Sequence, residues 1–399
     1  MSRFLGDWID GYLQYTENSE PPKMYRLWCA ISAIASALQR KCRLEWGPLT
    51  FYPNMYVVLV GPPGKARKGT AMHQSLDFLE SLDLKMAAEA ITREALIREL
   101  SNANVSDTTE DGKMYFHCSL TVFAPELTVF LGYNNLQLLS DLTDWYDCRG
   151  KWTYRTKNMG TDDIHGVFVN LLGATTPDLI RTTMPLDAIG GGLTSRMVFV
   201  YEPDKGKVVA IPFLNDAEVG LKEQLKVDME RIHMLRGKFQ VSQGFLDLWV
   251  DWYTHSSDKP PFRDDRLRGY IERRPNHIMK LSMILNASRS DKMIITRQDL
   301  ERAIAILEQT ERNMPATFSG VGKYSHADTL TQVMNEVAMA GKEGITKEKL
   351  TYIFRNDANL HVLNEIIDTL KQIKFLDVVS DGKSTVYRHR GEEDMYEDD

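Results

Sequence analysis

Hydrophobic positions along the chain switch between two periods. Phe4, Trp8, Ile9 and Tyr12 recur at helical spacing, and the run from Met24 to Leu38, after Pro21-Pro22, is rich in Ala, Leu and Ile. These patterns predict a helical layer over residues 1–45. The β-branched run from Tyr56 to Val60 predicts a buried strand, with helices to follow from Ala71 to Leu84 and from Met86 to Leu100. Residues 101–113 are polar and read as a turn around Asp111-Gly112. A second apolar strand spans 119–127, a leucine-rich helix 136–145, and a hairpin with period-two alternation 151–160. A third strand covers 167–177, and a fourth, from Met197 to Tyr201, follows the glycine run Gly190-Gly191-Gly192. Strands alternating with helices predict an α/β fold.

The second half changes character. Residues 204–216 read as a linker. From 217 to about 313 the pattern is helical: Arg263 to Arg274, the apolar stretch Ile278 to Ala287, and Asp299 to Thr310 behind the start signal Thr296-Arg297-Gln298-Asp299. Gly320-Val321-Gly322 marks a joint. Three helices and two short strands around Asp381-Gly382 then give the pattern of a winged helix-turn-helix over 321–391. Residues 392–399 are an acidic tail, expected to be disordered.

At 399 residues the chain can bury a sizeable core. No apolar run approaches a membrane span, and Met1-Ser2-Arg3-Phe4 lacks the pattern of a secretory leader, so no membrane partner and a bacterial-host cytoplasm are expected. Cys29, Cys42, Cys118 and Cys148 are scattered without a C-x-x-C pair, which argues against a zinc site or a disulfide framework. The net charge of −7 excludes a protein coated in positive charge but leaves room for a local basic channel.

The candidate chemistry centres on Gly61-Pro62-Pro63-Gly64-Lys65-Ala66-Arg67-Lys68-Gly69-Thr70, between the first central strand and its helix. Glycines let backbone N–H groups converge on phosphate oxygens, and the helix points its positive end at the same spot. Counted from Gly61, the standard phosphate-loop pattern meets Ala66, Arg67 and Lys68 where Gly, Lys and Ser/Thr are expected. A loop one residue longer puts Lys68 at the lysine place and leaves Thr70 as the metal-binding hydroxyl; Arg67 is the rival cation. The bland alternative is a Gly/Pro turn with solvated charges. Glu126 ends the second strand, where an acid can polarise water or simply face solvent. Thr175-Thr176 end the third, facing the ligand crevice of an open sheet. Arg196 opens the fourth and can reach a γ-phosphate, its own or a neighbour's, or sit in a salt bridge. Arg273-Arg274 are either a lid contact to phosphate or a charged helix face. In the hairpin, Lys151, Arg155 and Lys157 interleave with Trp152 and Tyr154. That suits single-stranded DNA, and equally an amphipathic hairpin with its aromatics in the core.

Taken in order, these pieces resemble the AAA+ P-loop NTPases of the hexameric replicative-helicase type with a minichromosome-maintenance-like arrangement. More narrowly, they resemble the phage and mobile-element helicase proteins of the DUF3987 type. Tyr52-Pro53-Asn54-Met55-Tyr56, Arg67-Lys68-Gly69-Thr70, Gly173-Ala174-Thr175-Thr176-Pro177 and Gly191-Gly192-Leu193-Thr194-Ser195-Arg196 carry the likeness, over roughly residues 1–315. The resemblance implies a P-loop NTPase core at 46–203, a helical lid at 204–320 and an appended winged helix. It implies ATP and Mg²⁺ as cofactors: Gly61, Gly64, Gly69 and Lys68 (or Arg67) on phosphates, Thr70 on Mg²⁺, Glu126 on water, Thr175 or Thr176 in a polar sensor place, and Arg196 as a finger into the adjoining subunit. Lys151, Trp152, Arg155 and Lys157 would contact DNA. The implied activity is that of an ATP-dependent DNA helicase forming a homo-oligomer, a hexamer, on single-stranded or forked DNA, with a primase or another replication protein as partner. Pro125 stands where such proteins carry the Mg²⁺-side Asp, which leaves open an origin-binding or helicase-loading scaffold that holds nucleotide without turnover.

Overall fold

The computed structural model describes residues 3–109, 112–156, 160–184, 190–256, 260–262, 264–318, 327–341, 343–355, 358–380 and 385–390. Its centre is a five-stranded sheet in the order Asn104–Thr108, Met114–Ala124, Val167–Thr175, Tyr56–Val60, Met197–Tyr201. The last four strands are parallel, and Asn104–Thr108 pairs antiparallel at one edge. Tyr56–Val60 and Val167–Thr175 are buried at every position, as the continuous apolar runs require of strands covered on both faces. The register pairs Val60 with both Thr175 and Tyr201, so three strands end level with one another.

On this side of the chain one expectation needs correction and another is extended. The segment from Met86 to Thr92 is not helical. Ala87 N–H donates to Thr121 O at 2.9 Å and Thr121 N–H to Lys85 O at 3.0 Å, tying 85–87 to the sheet. The helix begins at Arg93–Asn102, capped by the Thr92 side chain. The polar stretch read as a turn also contains the edge strand Asn104–Thr108, while the turn itself is bracketed by Thr109 N–H donating to Lys113 O at 2.8 Å and Gly112 N–H to Thr109 O at 2.9 Å. An edge strand half in water needs no apolar run, so hydropathy does not announce it.

The N-terminal helices Trp8–Tyr15 and Lys23–Leu38 pack with the helices Asp216–Met234, Arg268–Arg289 and Arg297–Glu311. Asp228, fully buried, accepts the backbone N–H groups of Phe4 and Leu5, while Trp8 Nε1 donates to Leu225 O and Trp28 Nε1 to Thr310. A second sheet stitches the same two regions, in the order Ile294–Ile295, Gly237–Val241, Cys42–Trp46, Leu49–Phe51. Residues 42–45 are therefore strand, not the end of a helical layer. Pro275 lies inside Arg268–Arg289, which runs through the break expected between Arg274 and Ile278.

The chain divides into two compact units, Met1–Gly320 and Val321–Asp399. In the second, helices Ala327–Met339, Lys347–Ile353 and Leu360–Gln372 surround a three-stranded sheet in the order Ile345–Thr346, Thr385–His389, Leu376–Ser380. Val333, Leu350, Ile366, Leu370 and Tyr387 form its own core. Among the described residues no helix is long and apolar enough to cross a membrane.

Candidate functional site

The loop after Tyr56–Val60 is held tightly at its first residue. A Cβ on Gly61 would lie 2.5 Å from Glu202 O and 2.6 Å from the Tyr25 hydroxyl, so only glycine fits. Gly64 (φ 70°) and Arg67 (φ 56°) take left-handed backbone, a strained choice for arginine just ahead of the helix Lys68–Glu80. The Arg67 guanidinium points outward, donating to Glu20 Oε2 at 2.6 Å and to Gly64 O at 3.2 Å. Lys68 turns inward. Its Nζ donates to Gly61 O at 2.6 Å and Pro62 O at 3.2 Å. Burial lowers the Lys68 pKa, and the Glu126 carboxylate opposes that shift. Lys68, not its rival Arg67, is the cation over the loop.

The helix Lys68–Glu80 starts uncapped, as Lys23–Leu38 and Arg268–Arg289 also do. It has no side-chain cap and no acid in its first turn, whereas Thr92, Thr176, Asn215, Ser242 and Asn359 cap helices elsewhere. An uncapped N-terminus carries free N–H groups and a partial positive charge, and Lys68 adds a full one. The Glu126 carboxylate acts on Lys68 electrostatically, and free N–H groups beside an ammonium favour an anion.

Around it stand the strand ends. Thr175 is buried beside the loop, its carbonyl accepting from Gly61 N–H at 3.4 Å. The Thr176 hydroxyl is engaged as cap of the helix Pro177–Thr183. Glu126 is exposed at the start of the helix Leu127–Leu131. Glu202, which sequence reasoning missed, follows Met197–Tyr201; its carboxyl is half-buried and its pKa is raised by burial. The available signal was position, an acid directly after an apolar strand. Thr70, expected on Mg²⁺, is exposed at the start of the helix. Two residues past Lys68 on the helix, it lines a cavity of about 310 Å³ with Glu20, Arg67 and Gln74, a wall to which Lys68 does not belong. Gly69 has open space where a Cβ would be.

Three arginines are drawn elsewhere. Arg196 precedes Met197, which pairs with Tyr56 at the opposite end of the sheet. Five residues at about 3.3 Å each separate it by roughly 16 Å from the loop of its own chain, which rules out an intrachain phosphate contact in this arrangement. It is 7% exposed and donates to Asp147 Oδ2 at 2.7 Å and Gly192 O at 2.7 Å. Arg273 lies 3.7 Å from the same carboxylate. Arg274 forms a buried ion pair, donating to Glu311 at 2.6 and 2.8 Å, and is a structural residue, not a phosphate contact.

The hairpin forms as expected, Lys151–Thr156 against Gly160–His165. Its two faces separate cations from rings. Lys151 and Arg155 are exposed, bonded to Asp163 at 2.9 Å and Thr161 at 3.0 Å. Trp152 turns to the opposite face and packs edge-on against Trp145 at 5.4 Å, and Tyr154 lies under Arg93. Trp152 is thus part of the packing and not of the cation face. Lys157 lies outside the described residues. Among the described residues no cluster of three His, Cys, Asp or Glu side chains is arranged to hold a metal. No family model and no curated protein matches this chain.

Proposed function

We propose that the chain binds a nucleoside triphosphate, ATP, in the Gly61–Lys68 loop and couples its hydrolysis to movement on single-stranded DNA. The observation that carries this reading is the uncapped helix start with Lys68 folded over its loop, level with the ends of parallel strands. Strand, glycine loop and helix N-terminus together make a phosphate site in a P-loop NTPase, and the crevice beyond the carboxyl ends of a parallel sheet is where ligands of such folds bind. In this reading Lys68 meets the outer phosphates, Glu126 orients the attacking water and Thr175 senses the γ-phosphate. Glu126 and Glu202 are hard oxygen donors flanking the loop and suit Mg²⁺ held through water; the ion would neutralise phosphate charge. Arg196 serves only a neighbouring subunit, which requires a homo-oligomer, a hexamer by family resemblance, and release of Asp147. The order helix, strand, helix, helix, strand, strand in 327–389 supports a winged helix as an appended module. By the same resemblance the setting is phage or mobile-element replication.

The test is phosphate release by the purified chain with and without a single-stranded oligonucleotide. Release stimulated by the oligonucleotide and lost in Lys68→Ala is expected, with thermal melting of the variant close to wild type. No release in either condition, with Lys68→Ala indistinguishable, rejects the motor. A second reading, a scaffold that holds nucleotide without turnover, is favoured by Pro125 ahead of Glu126 and by the Thr176 hydroxyl being engaged as a cap. Nucleotide-dependent oligomerisation without phosphate release would support it.

A further inference from the structure

A cavity of the first unit lies away from the phosphate loop. It measures about 750 Å³ and opens where the base of the hairpin meets the start of Met114–Ala124. Its wall combines two arginines, Arg40 and Arg43, with three aromatic rings, Tyr52, Tyr115 and Phe116. Arg40 is fixed: it donates to Cys148 O at 2.5 Å and Val167 O at 2.6 Å, and its guanidinium lies 4.1 Å over the Tyr52 ring. Phe116 is 53% exposed, a large ring left in solvent on the cavity wall. Gly166 (φ 61°) lets the hairpin base close against that strand, since a Cβ there would meet Phe116 O at 2.8 Å.

The cavity continues the cation face of the hairpin. His165 lines the cavity and is the cross-strand partner of Lys151, and Asp163, also on the wall, pairs with Thr153. Lys151, Thr153 and Arg155 share one face of their strand by period-two alternation, so the exposed cations lead directly to the opening. Asp163 is bonded to Lys151 and Thr153, and Arg43 to Glu45 at 3.2 Å, while Arg40 donates to backbone carbonyls and keeps its full charge on the wall. Flat rings beside fixed guanidinium groups take a base by stacking and its phosphate by charge.

We propose that this cavity binds one nucleotide unit of a single-stranded nucleic acid, its base stacked on Phe116 and its phosphate on Arg40 and Arg43. The inference deepens the reading of the hairpin as a strand-binding element and rests on it. A free mononucleotide presents the same chemistry, and the test separates the two sources.

Fluorescence anisotropy of a labelled twenty-residue oligothymidine, titrated with the full chain, reads the binding. Phe116→Ala is expected to weaken it about 5- to 160-fold, the range of one lost base stack, with Phe116→Trp restoring it. Arg43→Gln is expected to flatten the salt dependence by about 0.7 in the log–log slope, the share of one phosphate on a single strand. Met114→Ala, exposed on the same strand but off the cavity wall, is the control expected to bind as wild type. Displacement of the oligonucleotide by thymidine monophosphate, with the same dependence on Phe116, assigns the site to free nucleotide; failure to displace at millimolar concentration assigns it to a strand. Wild-type binding by both Phe116→Ala and Arg43→Gln, alongside weakened binding by Lys151→Ala and Arg155→Ala, overturns the cavity and leaves the hairpin standing. No binding of either probe by the wild-type chain overturns both, while phosphate release still reports on the loop separately.

Discussion

Gly61 shows how much one missing side chain decides. Gly61→Ala must push apart the Glu202 carbonyl and the Tyr25 hydroxyl, which itself donates to Val60 O at 2.6 Å. The expected cost is about 2–3 kcal/mol, read as a lower urea midpoint at unchanged slope. His277 makes a prediction about pH. Its Nε2 donates to Ser195 O at 3.2 Å, and Tyr146 donates to Nδ1 at 3.1 Å, a network for the neutral ring. Burial, with Lys280, Arg273 and Arg196 nearby, holds its pKa down at about 3. The unfolded chain takes up that proton near pH 6.5 while the folded chain does not, so stability is lost as pH falls from 6.5 toward 3. His117, held down to about 4 by burial, acts in the same direction. Melting temperature against pH should drop through this window, and His277→Gln should reduce the slope. At this scale the sequence identifies which residue types can do chemistry but not where they point. Lys68 and Arg67 are neighbours in sequence, and only the left-handed backbone at Arg67 sends one inward and the other to Glu20. Arg274 and Arg196 looked like free cations because their partners, Glu311 and Asp147, lie far along the chain.

Among elements, the long apolar strands and the capped helices were legible because their signals are local. Asn215 with Glu218 and Thr296 with Asp299 both form the capping boxes that mark helix starts. What stayed hidden was pairing between distant segments. Cys42–Trp46 is strand because Gly237–Val241 lies parallel to it, and no local pattern at 42–46 reports a partner almost two hundred residues away. The helix Arg268–Arg289 survives Pro275 because its body is anchored by burial and by Arg274 on Glu311. Arg274→Ala strands a carboxylate that is 1% exposed and should cost about 3–5 kcal/mol in chemical denaturation. Arg273→Ala, at the partly exposed rim of Asp147, should cost less than about 1 kcal/mol.

For the whole chain, each unit has its own apolar core. Calorimetry of the full chain should resolve two transitions, and a chain ending at residue 318 should keep the larger and lose the smaller. One transition that shifts bodily on truncation would contradict independent cores. The joint near Gly320-Val321-Gly322 was readable from composition. The segments read as N-terminal layer, core and lid lie in one compact unit and share hydrogen bonds, Trp28 donating to Thr310, Phe4 N–H to Asp228 and Tyr146 to His277. Hydrophobic periodicity marks each element's buried face but not which other face covers it.

Lys68 has one more consequence, and it concerns rates. With its ammonium resting on the carbonyls of Gly61 and Pro62, the loop already holds a guest of its own. Any anion arriving there trades places with those contacts instead of settling into a vacant cup. Association should therefore saturate with ligand concentration in a stopped-flow trace, the plateau reporting how often the amine lets go.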